Sequence, residues 1–163
     1  MTRSFLSLGS NLGYRLEYLR AAAKALERGP LIEVAGVSKV YETIPVEVNE
    51  EQPDYLNCVV EVWYGASAVE LLCFCQGIEV ALGRTGKGGR LPRTVDIDIL
   101  LFGEETIIEG AYLEVPHRGV LRPFNLLGIV DLAPDAFVPG RGAVRGLLAG
   151  ADLSGVREFG ESL

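Results

Sequence analysis

The chain has 163 residues, 48% of them hydrophobic, which is enough to bury a core as one domain spanning residues 1–163. Its formal net charge of -7 suits neither nucleic acid nor any partner held by general phosphate attraction, so no nucleic-acid partner is expected. Three cysteines, an odd number with no secretory leader, argue against a disulfide framework and for a reducing cytoplasm, and the apolar run in MTRSFLSLGSNLGYRLEYLR is too short for a signal-peptide core or a membrane span. The expectation is a soluble, cytoplasmic, monomeric protein with no membrane partner.

Arg3 to Gly9 reads as a first strand, and the Gly-Ser-Asn at 9–11 as turn and N-cap chemistry. Leu12, Leu16, Leu19, Ala23 and Leu26 recur at helical spacing, predicting a helix from about Leu12 to Arg28 that Gly29-Pro30 closes. Leu31 to Glu42 is rich in valine and isoleucine and predicts a second strand. IPVEVNEEQPD, residues 44–54, carries two prolines and four acids and reads as a loop.

YLNCVVEVWY, residues 55–64, alternates: Leu56, Cys58, Val60, Val62 and Tyr64 share one face, and Tyr55, Asn57, Val59, Glu61 and Trp63 the other. The first set belongs to the core. Ser67-Ala-Val-Glu70 is a capping box opening a helix whose Leu71, Cys75, Ile78 and Leu82 share a face, with Gly83 just past the last turn. Cys73 and Cys75, two apart on this helix, diverge. Residues 84–93 form a glycine-rich loop, 94–102 a strand, 103–110 a turn and short edge segment, and 123–131 a short helix. The tail after Pro139 receives no assignment. The order suits an α+β sandwich with helices covering a mainly antiparallel sheet.

The strand at 94–102 raises a chemical question. Residues two apart on a strand project from one face with Cα atoms roughly 6.5 Å apart, so Asp96 and Asp98 converge while Val95, Ile97 and Ile99 face the other way. Such a pair either sits on the wet face of an edge strand or holds one or two Mg²⁺ ions, which take a few oxygen ligands plus a substrate's phosphates. The preceding RTGKGGRLPR places Arg84, Lys87, Arg90 and Arg93 within ten residues and no acid among them. Gly86, Gly88, Gly89 and Pro92 argue against a helix there. This is either a solvated surface loop or a cationic loop for polyphosphate. His117, the one histidine, stands beside Arg118 and near Arg122, as a structural group or a ligand for phosphate. Tyr55 and Asn57 offer a ring to stack on and an amide that both donates and accepts, which suits a flat heterocycle, or they simply line a half-exposed sheet face. No P-loop, dinucleotide fingerprint, nucleophile elbow or paired Cys/His metal spacing occurs.

LSLGSNLG at 6–13, YETIP at 41–45, QPDYLN at 52–57, CQGIE at 75–79, PRTVDIDILLFG at 92–103, VPH at 115–117 and RPFNLL at 122–127 occur in the order seen in the 6-hydroxymethyl-7,8-dihydropterin pyrophosphokinase family, which the chain resembles over about residues 4–135. The resemblance implies a ferredoxin-like α+β fold in which ATP is co-substrate and donates its β,γ-diphosphate to the pterin's hydroxymethyl group, releasing AMP. It implies that Asp96 and Asp98 hold two Mg²⁺ ions, that Tyr55 and Phe124 sandwich the pterin, that Asn57 reads its edge, and that Thr43 and Pro45 form its wall. Gln76 and Glu79 correspond to helix positions near ATP. Arg84 and Arg93 match arginines on the reacting phosphates, as do His117 and Arg122, with Lys87 and Arg118 further candidates on ATP. Compared with the family's familiar form, the loop between Arg84 and Arg93 is a residue shorter. Arg90-Leu91 stands where a tryptophan often precedes the PRTxD block, and Arg118 replaces an aromatic. On the residues alone, a nucleotidyltransferase using the same aspartates, or a ligand-sensing ferredoxin-like module with those aspartates merely solvated, also fits.

Overall fold

The computed structural model describes residues 1–45, 51–83 and 94–163. The main sheet is built from β1 (Thr2–Ser10), β2 (Ile32–Val37), β3 (Tyr41–Thr43), β4 (Tyr55–Tyr64), β5 (Asp96–Phe102) and β10 (Val156–Glu158). It runs β10-β3-β4-β1-β5, with β2 also on β4, and its pairings are antiparallel. Two short ribbons, β6 (Ile107–Glu109) with β7 (Leu113–Val115) and β8 (Phe137–Val138) with β9 (Gly142–Ala143), lie outside it. The helices are α1 (Arg15–Glu27), α2 (Ala68–Ala81), α3 (Pro123–Leu132) and α4 (Val144–Ala149). The expected α+β architecture with a mainly antiparallel sheet is the one observed.

Alternation along the strands divides the core in two. Leu6, Leu8, Leu56, Cys58, Val60, Ile97 and Ile99 point to the side covered by α1 and α2, where they meet Leu19, Leu26, Leu71 and Cys75. On the opposite face Phe5, Val59 and Leu101 pack with Leu126 and Ile129 of α3 and Val144 of α4. Gly128 makes that contact possible, because a Cβ there would come 2.3 Å from Val59 Cγ2. The helix therefore lies directly on β4 and covers only part of this face. The remainder carries Asp96, Gly9, Asn57, Tyr55 and Thr43.

Local signals are reproduced where they close within a few residues. β4 spans Tyr55–Tyr64, and Ser67 caps α2 by accepting from the Glu70 amide at 3.2 Å. Helix α1 starts later than the capping signal at 9–11 predicts. β1 continues through Ser10, and Asn11 donates its side-chain amide to Gln52 Oε1 and the Pro53 carbonyl, so it does not cap the helix. Gly13, at φ +72°, turns the chain, and the first helical turn has no side-chain cap. The single strand expected over 31–42 is two, β2 and β3. Between them Ser38 bonds Val59 through its own amide and by accepting the Val59 amide on Oγ, each at 2.8 Å, so a side chain replaces a rung of the ladder. In the unassigned tail, β10 joins the main sheet on β3. None of the helices among the described residues is long and apolar enough to cross a membrane.

Candidate active site

The aspartates of β5 stand as the alternation predicts. Val95, Ile97 and Ile99 are buried, and Asp96 and Asp98 between and beside them are half-buried on the other face. Register carries this face across the sheet: Asp96 is opposite Gly9 of β1, Gly9 is opposite Asn57 of β4, and Thr43 of β3 is opposite Tyr55. Residues opposite one another share a face, so one cross-strand row holds a carboxylate, a glycine and an amide. A Cβ on Gly9 would lie 2.9 Å from Asn57 Oδ1 and 3.6 Å from the Tyr55 ring, so any side chain at this position would push the amide aside.

Asn57 is 5% exposed and donates Nδ2 to Thr43 Oγ1 at 2.8 Å. In this arrangement Oδ1 is turned toward Gly9. Tyr55 and Pro45 are half-buried at the rim. Phe124, in the first turn of α3, is half-buried and four residues before Gly128, so it lies on the sheet-facing side of the helix.

Glu79 of α2 is 2% exposed and accepts the Ile97 amide on Oε2 at 2.8 Å. Its carboxylate is turned inward onto the edge of β5, at the residue between the two aspartates. Gln76, three residues earlier on the same helix, is half-buried.

The segment after β7 returns to β5 through a bond from the His117 amide to the Leu100 carbonyl at 3.0 Å. His117 Nδ1 accepts the Gly119 amide at 2.9 Å, so in the neutral ring the proton belongs on Nε2, which lies 3.7 Å from Asp98 Oδ1. Burial, then the charges of Arg118 and Arg122, hold the ring's pKa below its ordinary value against the opposing pull of Asp96 and Glu114. Arg118 and Arg122 are exposed on either side of the turn. Arg84, Lys87, Arg90 and Arg93 lie outside the described residues.

The donor set fits a hard divalent cation. Two carboxylates from one strand face, with a glycine opposite Asp96 and a small serine, Ser7, opposite Asp98, match an ion that uses one or two carboxylates and takes its other oxygens from substrate phosphates and water. Among the described residues no cluster of three or more His, Cys, Asp or Glu side chains forms a closed protein cage.

Sequence reasoning missed three supports of this site. Gly9 belongs to the LSLGSNLG stretch, but its steric role depends on the register with Asn57. Asn11 ties the β1–α1 turn to Gln52 and Pro53, just before Tyr55. Arg15 of α1 bonds Glu42 at 2.7 Å and the Asp54 carbonyl at 2.8 Å, while Arg157 of β10 bonds the other oxygen of Glu42.

Comparison with known proteins gives a consistent likeness. Residues 5–134 match the family model for 7,8-dihydro-6-hydroxymethylpterin-pyrophosphokinase. The chain is 42% identical over 130 residues to the 2-amino-4-hydroxy-6-hydroxymethyldihydropteridine pyrophosphokinase of Bacillus subtilis, covering 79% of this chain and 77% of that one. To the enzyme of the same name from Pseudomonas aeruginosa it is 36% identical over 158 residues, 96% of each. It also matches the folic acid synthesis protein fol1 of Schizosaccharomyces pombe at 36% identity, spanning only 18% of that longer chain. Among solved structures, the Plasmodium falciparum HPPK-DHPS with pteroate superposes with a TM-score of 0.72 at 15% identity, over 91% of this chain and 44% of that one, a likeness of fold.

Proposed function

The chain belongs to the 7,8-dihydro-6-hydroxymethylpterin-pyrophosphokinase family and is a pyrophosphokinase of folate biosynthesis, and we propose that its two substrates meet on the sheet face beside α3, with Asp96 and Asp98 as the metal ligands between them. The reaction moves the β,γ-diphosphate of ATP to 6-hydroxymethyl-7,8-dihydropterin. The hydroxymethyl oxygen forms a bond to the β-phosphorus, the bond from that phosphorus to the α,β-bridging oxygen breaks, AMP leaves, and the hydroxyl proton passes to solvent.

The observation that carries this arrangement is the single row Asp96–Gly9–Asn57. It sets a carboxylate for the phosphate side on β5 and an amide for the heterocycle side on β4, with the side-chain-free Gly9 of β1 between them. Asn57, oriented by Thr43, meets the pterin's edge, Pro45 closes its wall, and Tyr55 and Phe124 contact its faces. His117 Nε2, Arg118 and Arg122 face the nucleotide phosphates from the turn after β7, with Gln76 on the α2 side. Glu79 acts through the strand, holding the Ile97 amide so that the flanking aspartates keep their direction. Arg84, Lys87 and Arg93 supply further positive charge to the phosphates. Two Mg²⁺ ions bound by Asp96 and Asp98 would neutralise charge on the phosphates and align the attacking oxygen. The protein's own part is positioning and exclusion of water, which for phosphoryl-type transfer leaves no dedicated base to be found. The enzyme works as a cytoplasmic monomer without a nucleic-acid partner.

The test is AMP release from ATP and Mg²⁺, with and without the dihydropterin, for the native chain and for Asp96→Ala. Pterin-dependent AMP that disappears in the variant is the expected result. AMP release indifferent to pterin, or unchanged in Asp96→Ala, would overturn the site assignment.

A further inference from the structure

Asn125, in the first turns of α3, is 4% exposed. Its Nδ2 donates to the Gly119 carbonyl at 2.8 Å, while its Oδ1 is buried and has no hydrogen-bond partner among the described residues. A half-satisfied buried amide is unfavourable where an apolar side chain of similar volume would pack without that loss. Its neighbours in the chain, Leu126 and Phe124, are apolar, and Leu126 joins the core under α3. Packing of α3 therefore gives no reason for an amide at this position, and the one bond it makes does.

That bond ends on the residue that sets the histidine ring. Gly119 offers its amide to His117 Nδ1 and its carbonyl to Asn125. A Cβ at 119 would lie 3.2 Å from His117 Nδ1 and 3.4 Å from Arg122 Nε, so a side chain here would crowd the ring, and glycine is the residue with the loosest backbone. The turn has other closures: Val120 N to the His117 carbonyl at 2.9 Å and Arg122 N to the Gly119 carbonyl at 3.1 Å. These backbone bonds maintain the turn without Asn125, but they come from the turn itself. Asn125 anchors the glycine to a helix packed on the sheet.

We propose that Asn125 is a positioning residue: by pinning Gly119 to α3 it keeps the Gly119 amide on His117 Nδ1, and so holds the imidazole as the Nε2–H tautomer with that proton turned toward Asp98 and the nucleotide phosphates. The part concerning phosphates rests on the functional reading above, whereas the tautomer is independent of it.

His117 is the only histidine in the chain, so its ring nitrogens can be read by ¹⁵N NMR without assignment by mutation. The experiment compares the native protein with Asn125→Leu at pH 8, where the ring is neutral, and adds thermal melting and steady-state kinetics. The native protein should show one tautomer, protonated on Nε2. Asn125→Leu should melt no lower than native by more than a few degrees, show a mixture of tautomers, and raise KM for ATP roughly fivefold or more while leaving KM for the dihydropterin near native, in keeping with the loss of one aligned hydrogen bond. A folded variant that keeps the single Nε2–H tautomer overturns the positioning role. A mixed tautomer with an unchanged KM for ATP upholds it and instead removes His117 from ATP binding. If Asn125→Leu does not fold, Asn125→Asp, which keeps the shape but replaces the Nδ2 donor with an acceptor, is read in the same way.

Discussion

Asp98 Oδ1 and His117 Nε2 stand 3.7 Å apart, on segments that the bond from the His117 amide to the Leu100 carbonyl ties together. At this distance the carboxylate and the ring do not consume each other's hydrogen-bonding capacity. The two lie side by side, one an anion suited to a cation and the other a donor suited to a phosphate oxygen.

The first prediction concerns that carboxylate. Asp98→Ala should lower kcat by about 100-fold or more, the scale for losing one preorganised charge-stabilising contact. Dihydropterin affinity should stay within about threefold, because Asn57, Thr43 and Tyr55 lie across β1. Turnover by stopped assay and pterin binding by calorimetry separate the two effects. Near-native turnover would remove Asp98 from the metal site.

Gly9→Ala should act on the pterin side. The new Cβ would meet Asn57 Oδ1 at 2.9 Å, and the mobile partner in that clash is a side-chain end, not backbone. The amide therefore shifts at modest cost in stability, while the bond to Thr43 and the edge presented to the pterin are disturbed. Pterin affinity is expected to fall roughly tenfold, about one hydrogen bond's worth, with KM for ATP little changed. Equal pterin affinity in the variant would mean that Oδ1 does not read the ligand.

Glu79→Ala should cost stability as well as rate. Removing the buried carboxylate strips the Ile97 amide of its 2.8 Å acceptor, an uncompensated loss of about 1–3 kcal/mol, and frees the strand between Asp96 and Asp98. Glu79→Gln keeps an oxygen for that amide and should recover most of the lost stability. Urea unfolding of both variants decides the matter, and equal destabilisation by alanine and glutamine would show that the charge, not the acceptor, is what the site uses.

What was legible in the sequence follows the range of each interaction. The alternation of 55–64 and the Ser67–Glu70 capping box act within a few residues, and both elements appear as predicted. The convergence of Asp96 and Asp98 likewise needs only a strand of period two. The start of α1 was misplaced because Asn11, a good N-cap by type, is occupied by Gln52 and Pro53 about forty residues on. β10 escaped notice because three residues of ordinary composition become a strand only by pairing with β3. Glu79 has a helical position that says which side of α2 it occupies, but not that a backbone amide of β5 takes its carboxylate. Asn125 carries no local signal, since its meaning lies in Gly119 and, beyond it, in one nitrogen of His117.

The last prediction concerns pH and the tail. Burial alone would raise the Glu42 carboxyl, but hydrogen bonds and charge from Arg15 and Arg157 more than offset it and hold the pKa below the ordinary value. A carboxylate with a folded pKa below its unfolded one stabilises the protein above the unfolded value, about 4.3 for glutamate, and this contribution is lost as pH falls through the folded pKa. Arg157 is 66% exposed and Glu42 13%, so the pair is screened on one side, and Arg157→Ala should cost no more than about 1 kcal/mol at pH 7. As pH falls below about 4 the difference between native and variant should shrink toward zero, because the protonated carboxyl no longer attracts the guanidinium. Urea melts at intervals from pH 7 to pH 3 test this, and a difference that stays constant across the range would assign Arg157's contribution to the packing of its stem on β3. Because Arg15 also holds the Asp54 carbonyl, directly before Tyr55, the same acid range should loosen the approach to the pterin face before the sheet itself unfolds.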